Sequence, residues 1–128
     1  MSTLKTSNIQ DTSGNNNSTP EEISQGRAKA WINFDGTLAS IGNGRDNYNV
    51  TSVTDNGTGD YSINFTNNMA NTNYCCVGTG FHEAQTTSDM RVVTGQTRAV
   101  NNVRVNTSYA NGSGGYDIPG VNIVVFGD

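Results

Sequence analysis

From Ala28 onward the chain is written in a two-residue rhythm. Ala28, Ala30, Ile32 and Phe34 alternate with Lys29, Trp31 and Asn33, which predicts a strand whose second face is partly apolar through Trp31. Tyr61, Ile63 and Phe65 alternate with Ser62, Asn64 and Thr66, predicting a strand over 60–66. Val103, Val105 and Thr107 alternate with Arg104 and Asn106 in the same way. Shorter β-type runs occur at Tyr48–Thr51 with Val53 beyond, at Tyr74–Gly78 with room to extend to Phe81, and at Met90–Val93. Leu38–Ile41 reads as a further small strand inside the Gly-rich connection 35–46. Val121–Phe126 is almost wholly apolar. Asp55-Asn56-Gly57-Thr58-Gly59-Asp60 is a strong hairpin-turn signal. Seven to eight short strands separated by turn residues predict an all-β fold, an antiparallel, jelly-roll-like β-sandwich. Phe34, Tyr61, Phe65 and Phe126 fall in phase as candidate core residues. The last two strands, 101–109 and 121–127, are expected to form a hairpin with its tip over Ala110 to Gly120.

Residues 1–19 follow neither rhythm. Ser7 to Thr19 contains one apolar residue, Ile9, and buries too little surface to fold alone. Leu4 and Ile9 are the candidate anchors of this extended arm on a partner. At Thr19-Pro20-Glu21-Glu22 the chain carries a capping-box spacing with proline at the first helical position, predicting a short helix over 20–26 that Gly26 ends. The division is therefore an arm and helix over 1–27 and a sandwich over 28–128.

Composition narrows the class. Asn, Thr, Gly and Ser supply 61 of 128 residues, hydrophobic residues are 33% and charged residues 14%. Disordered chains are poor in apolar residues but rich in charge, whereas this one is poor in both. Leucine occurs only twice, at Leu4 and Leu38, which argues against helical bundles. Seven Lys and Arg against eleven Asp and Glu give a net charge of −4 and a pI near 4.7. No basic stripe is present for phosphate contacts, so neither nucleic acid nor an anionic membrane is an expected partner. No apolar h-region follows Met1, and no apolar run reaches membrane-spanning length.

Candidate chemistry is sparse. His82 is the single histidine, and one histidine makes no zinc site unless three chains bring their copies together. Cys75 and Cys76 are adjacent, point to opposite faces of a strand, and read as free thiols suited to a reducing compartment. The acidic run 55–60 lacks the EF-hand glutamate, since its twelfth position is Thr66. Asp35, Asp46, Glu83 and Asp89 lie in polar loops, and no GxSxG, HExxH or P-loop motif occurs. The expectation is a protein with no catalytic residues, no metal and no cofactor. Tyr109 and Tyr116 flank the tip Asn111-Gly112-Ser113-Gly114-Gly115. Tyr109, Asn111 and Tyr116 suit stacking on sugar rings and bonding to hydroxyls. The other reading is that the tyrosines pin the loop base to the sheet.

The run Gly26-Arg27-Ala28-Lys29-Ala30-Trp31-Ile32-Asn33-Phe34-Asp35-Gly36-Thr37 resembles the opening of a small domain of tail-fibre-like and virion-appendage proteins of marine and cyanobacterial phages. The likeness continues through Tyr48–Tyr61, Ile63–Thr66, Met69-Ala70 and Asn73-Tyr74, and the arm Ser2–Gly14 resembles their leaders. It spans roughly residues 2–74, and the region from about 80 to 120 departs from it. The resemblance implies a homotrimeric virion protein, made in the host cytoplasm and held to other virion proteins by its arm. Trp31 and Ile32 are the expected assembly interface. Two roles follow: a tail-fibre or tail-tip appendage that attaches to a host-surface glycan or protein, or a capsid decoration (knob) protein that stabilises the head shell. A depolymerase is a third role, for which the sequence offers no credible site.

Overall fold

Strands of alternating polarity pair into two antiparallel sheets that bury their apolar faces against each other. A computed structural model describes residues 1–81, 91–110 and 114–127, with the side chains of Arg91, Val92 and Gln96 outside the description. The elements are α1 (Pro20–Gly26), β1 (Ala28–Phe34), β2 (Asp46–Tyr48), β3 (Val50–Gly57), β4 (Asp60–Phe65), β5 (Cys75–Phe81), β6 (Arg91–Arg98), β7 (Asn102–Tyr109) and β8 (Gly120–Phe126). One sheet has the order β2-β1-β8-β5 and the other β3-β4-β7-β6. The fold is the expected all-β sandwich.

The core takes one residue in two from each long strand. Ala30, Ile32 and Phe34 meet Tyr61, Ile63 and Phe65, with Val103, Val105, Val121, Ile123 and Val125 completing the layer. On β5 the inward positions are Cys76, Gly78 and Gly80. A Cβ at Gly78 would lie 2.4 Å from the Val93 side chain, and one at Gly80 2.4 Å from that of Ile118. The sheets approach there too closely for any other residue.

A tyrosine clamps each end of the sandwich. The Tyr61 ring meets Phe34 edge-on, with centroids 5.1 Å apart. Its hydroxyl lies 2.7 Å from an Asp117 carboxylate oxygen and 3.0 Å from the Gly36 carbonyl. The Gly59 amide donates to the same Asp117 oxygen at 2.7 Å, so three connections meet at one point. Burial, reinforced by the Asp117 charge, raises the Tyr61 hydroxyl well above the ordinary tyrosine range. At the other end Tyr74 packs edge-on against Phe65, with its hydroxyl 3.0 Å from the carbonyls of both Ala99 and Asn102.

Helix α1 forms where the capping box predicts it. The Glu22 amide donates to Thr19 Oγ1 at 3.2 Å, and the Thr19 amide donates to Glu22 Oε2 at 2.7 Å. The arm before it turns back on itself rather than staying extended throughout. Ile9 and Ser18 exchange backbone bonds of 2.8 Å, and the Asp11 carboxylate accepts from the amides of Ser13 and Asn15.

Four sequence expectations are corrected. The last two strands are not a hairpin: β7 lies between β4 and β6, and β8 lies between β1 and β5 in the opposite sheet. A strand apolar on both faces is best placed in the middle of a sheet, which is where β8 lies. Leu38–Ile41 forms no strand; Ile41 alone turns in to seal the core. The Tyr48–Thr51 strand is broken at Asn49, whose φ of 57° separates β2 from β3. Phe126 is in phase with Val124, not Val125, so it lies on the outer face.

Replacing Tyr61 with Phe keeps the ring packing but leaves Asp117 and Gly36 without their shared donor. The expected loss is about 1–3 kcal/mol, read as a lower urea midpoint with unchanged slope. Asp117→Asn, which keeps an acceptor for both donors, is expected to cost less.

Candidate functional site

The two sheets differ in what they show to solvent. On the β3-β4-β7-β6 sheet, the outward positions of β3, β4 and β7 are Ser52, Thr54, Asn56, Asp60, Ser62, Asn64, Asn102, Arg104 and Asn106. These side chains bond to one another. Asn64 Nδ2 donates to Ser52 Oγ at 3.1 Å and to Thr54 Oγ1 at 2.9 Å, and Asn56 Nδ2 donates to Ser62 Oγ at 2.9 Å. The Arg104 fork grips both oxygens of Asp60, with Nε 2.7 Å from Oδ1. That fork holds the Asp60 carboxyl below the usual aspartate range.

The outer face of the β2-β1-β8-β5 sheet is apolar at its centre. Strand register places Tyr48, Trp31, Val124 and Val77 in one row across all four strands. Trp31 is 36% exposed and Tyr48 50%. A shallow groove of about 310 Å³ lies along this row, lined by Trp31, Val77 and Val124. The next row is polar: Asp46, Asn33, Asn122 and Thr79, in which Asn33 Nδ2 donates to Asn122 Oδ1 at 2.6 Å. Beyond that row the Phe81 ring lies across Gly120, and at the opposite end Cys75 pairs with Phe126.

The structure separates residues that the sequence grouped. Ile32 is 2% exposed and belongs to the core, so it has no surface to offer an assembly interface, because adjacent strand residues face opposite ways. Trp31, its neighbour, does present one. Leu4 and Ile9 are both exposed, at 84% and 52%, and neither belongs to the core cluster. Tyr109 and Tyr116 meet edge-on with centroids 5.0 Å apart, and Tyr116 donates its amide to the Thr107 carbonyl, folding the loop base back onto β7. Both rings are half-buried. Asn111, His82, Glu83 and Asp89 lie outside the described residues.

The carboxylates are structural acceptors. Asp35 pairs with Arg45 at 3.0 Å and accepts from Thr37, and Asp117 holds the Tyr61 clamp. Among the described residues no three His, Cys, Asp or Glu side chains are grouped to hold a metal ion. Asp117 is the functional-looking carboxylate that sequence reasoning missed. Its signal was an acid set between Tyr116 and Ile118, immediately before the most apolar strand. No protein-family model, no curated protein and no solved structure matches this chain.

Two measurements check these surfaces. Arg104 favours the ionised form of Asp60, so this stabilisation is present above the unfolded-state value, near 3.8, and is lost as pH falls through the lower folded-state value. Arg104→Gln is therefore expected to lower the urea midpoint at about pH 6, with the gap to the parent closing toward about pH 2. Cys75 is exposed, whereas burial raises the Cys76 thiol above its ordinary range. A maleimide is expected to label one thiol per native chain, and two only after unfolding.

Proposed function

We propose that this chain is a non-enzymatic phage virion protein, a trimeric tail-fibre or tail-tip-like appendage. Its arm anchors it to the particle and its sandwich faces the host surface. The observation that carries the reading is the arm. Every residue from Met1 to Asn17 is exposed, and α1 buries none of its residues. A segment that orders only a small hairpin of its own, yet displays Leu4, Ile9 and Ile23, gains its packing from another chain. The apolar row through Trp31 supports self-assembly, because an exposed sheet centre of this kind marks an interaction surface. The resemblance over residues 2–74 supplies the virion setting. Tyr109 and Tyr116 pack edge-on beside the sheet, and aromatic side chains held on a scaffold in this way suit recognition.

The test uses the full chain and a chain lacking residues 1–19. Light scattering is expected to give a trimer for the full chain, and Trp31→Asp is expected to shift it to monomer without loss of the β circular-dichroism signal. Particles of the encoding phage, prepared without this protein, are expected to take up the full chain and to reject the truncated one. Absence of the protein from purified particles by mass spectrometry would sink the reading. Uptake on the head lattice rather than the tail, seen by electron microscopy, would replace it with the decoration role.

A further inference from the structure

A second groove opens beside the edge strand β2, where the Trp31 row ends at Tyr48. It encloses about 400 Å³, within the range of small-ligand sites. Its lining draws on three separate parts of the chain: Arg27 and Lys29 at the start of β1, Tyr48 at the end of β2, and Asn67, Asn68 and Asn71 in the loop between β4 and β5.

The walls are held in place before any ligand arrives. Asn49, at φ 57°, is the staple. Its Nδ2 donates to the Lys29 carbonyl at 3.0 Å and to the Asn67 carbonyl at 3.1 Å. Its Oδ1 accepts from the Asn67 amide at 2.8 Å and from Asn67 Nδ2 at 3.2 Å. One side chain thus ties β1 to the 67–71 loop. Met69, buried in the core, fixes the same loop from beneath, and its amide donates to the Val100 carbonyl at 2.8 Å. Asparagine adopts this left-handed conformation readily, and here it aims the side chain at both walls of the groove.

The rim carries the chemistry. The chain has seven cationic side chains in all, and two of them, Arg27 and Lys29, line this one groove. Arg45 and Arg104 are neutralised by Asp35 and Asp60, but neither Arg27 nor Lys29 forms an ion pair with a described residue. Lys29 spends one of its three donors on Ser24 Oγ, at 3.1 Å. Beside these cations stands the half-exposed face of Tyr48, a flat surface suited to the C–H face of a pyranose ring. The asparagine side chains supply both donors and acceptors, as sugar hydroxyls require.

We infer that this groove binds a carboxylate-bearing saccharide, with its acid group between Arg27 and Lys29 and a sugar ring over Tyr48. For its biological setting the inference rests on the attachment role proposed above, since it names the class of host glycan. The binding itself is a property of the isolated chain and is measured without particles.

The probe is tetragalacturonic acid, titrated into isotopically labelled full chain and followed by amide chemical shifts, with the methyl-esterified oligomer as the uncharged comparison. Saturable shifts are expected around 27–29, 48–49 and 67–71, with at least about tenfold weaker binding of the ester. Arg27→Gln with Lys29→Gln, and separately Tyr48→Ala, are each expected to weaken binding about tenfold while leaving the melting temperature near that of the parent. The inference is overturned by absence of saturable binding, by equal binding of the ester, by variants that bind as the parent does, or by tighter binding of adenosine monophosphate at the same residues. Absence of the protein from virions would remove the phage role and leave saccharide binding standing. Failure to bind the acid would leave the virion role standing.

Discussion

The register between the two sheets depends above all on the buried phenol of Tyr61. Tyr61 sits on a strand of one sheet, and its hydroxyl reaches the carbonyl that follows β1 and the carboxylate that precedes β8, both at the end of the other sheet. The same carboxylate receives the amide of the β3–β4 turn. A charge-assisted bond in a water-poor site is stronger than its surface counterpart, and a missing partner there costs correspondingly more. This one cluster fixes where the final crossover docks, and so places β8 between β1 and β5. Gly36 shows how little room is left, since a Cβ there would lie 2.4 Å from the Tyr61 hydroxyl.

With the ends clamped, the two outer faces are free to specialise. One is a ladder of Asn, Ser and Thr side chains whose polar groups largely satisfy each other around the Asp60–Arg104 pair. Such a surface offers no contiguous apolar patch. The other has an aromatic and aliphatic row at its centre, bordered by an amide row and by Phe81. The contrast between the faces, more than any single residue, is what the proposed assembly draws on.

The cations are divided in a similar way. Arg45 and Arg104 serve the fold by pairing with carboxylates, whereas Arg27 and Lys29 are left facing a groove with a prepared wall. The short link from α1 into β1 puts the arm, this groove and the apolar row within one region of the chain. Anchor, assembly and recognition in the proposed appendage thus radiate from the first strand.

Much of this was legible in the sequence. Period-two runs name β1, β4 and β7 and the inward sets Ile32/Phe34, Tyr61/Ile63/Phe65 and Val103/Val105, because alternate residues of a strand face opposite ways whatever its neighbours are. The capping box names α1, since its bonds close within four residues. What lay beyond reach depends on contacts distant in sequence. That 101–109 and 121–127 belong to different sheets is settled by the bonds of Tyr61 to Asp117 and by the pairing of β8 with β1 and β5, not by the turn residues between them. That Phe126 faces out, while Val125 faces in, is a one-residue matter of phase that an apolar run on both faces does not encode. The groove beside Tyr48 was invisible for the same reason: Arg27, Tyr48 and Asn67 become neighbours only when Asn49 ties β1 to a loop 18 residues further on. Local periodicity determined which residues form strands and which way most of them face, while long-range hydrogen bonds and packing decided how those strands are ordered and where their surfaces converge.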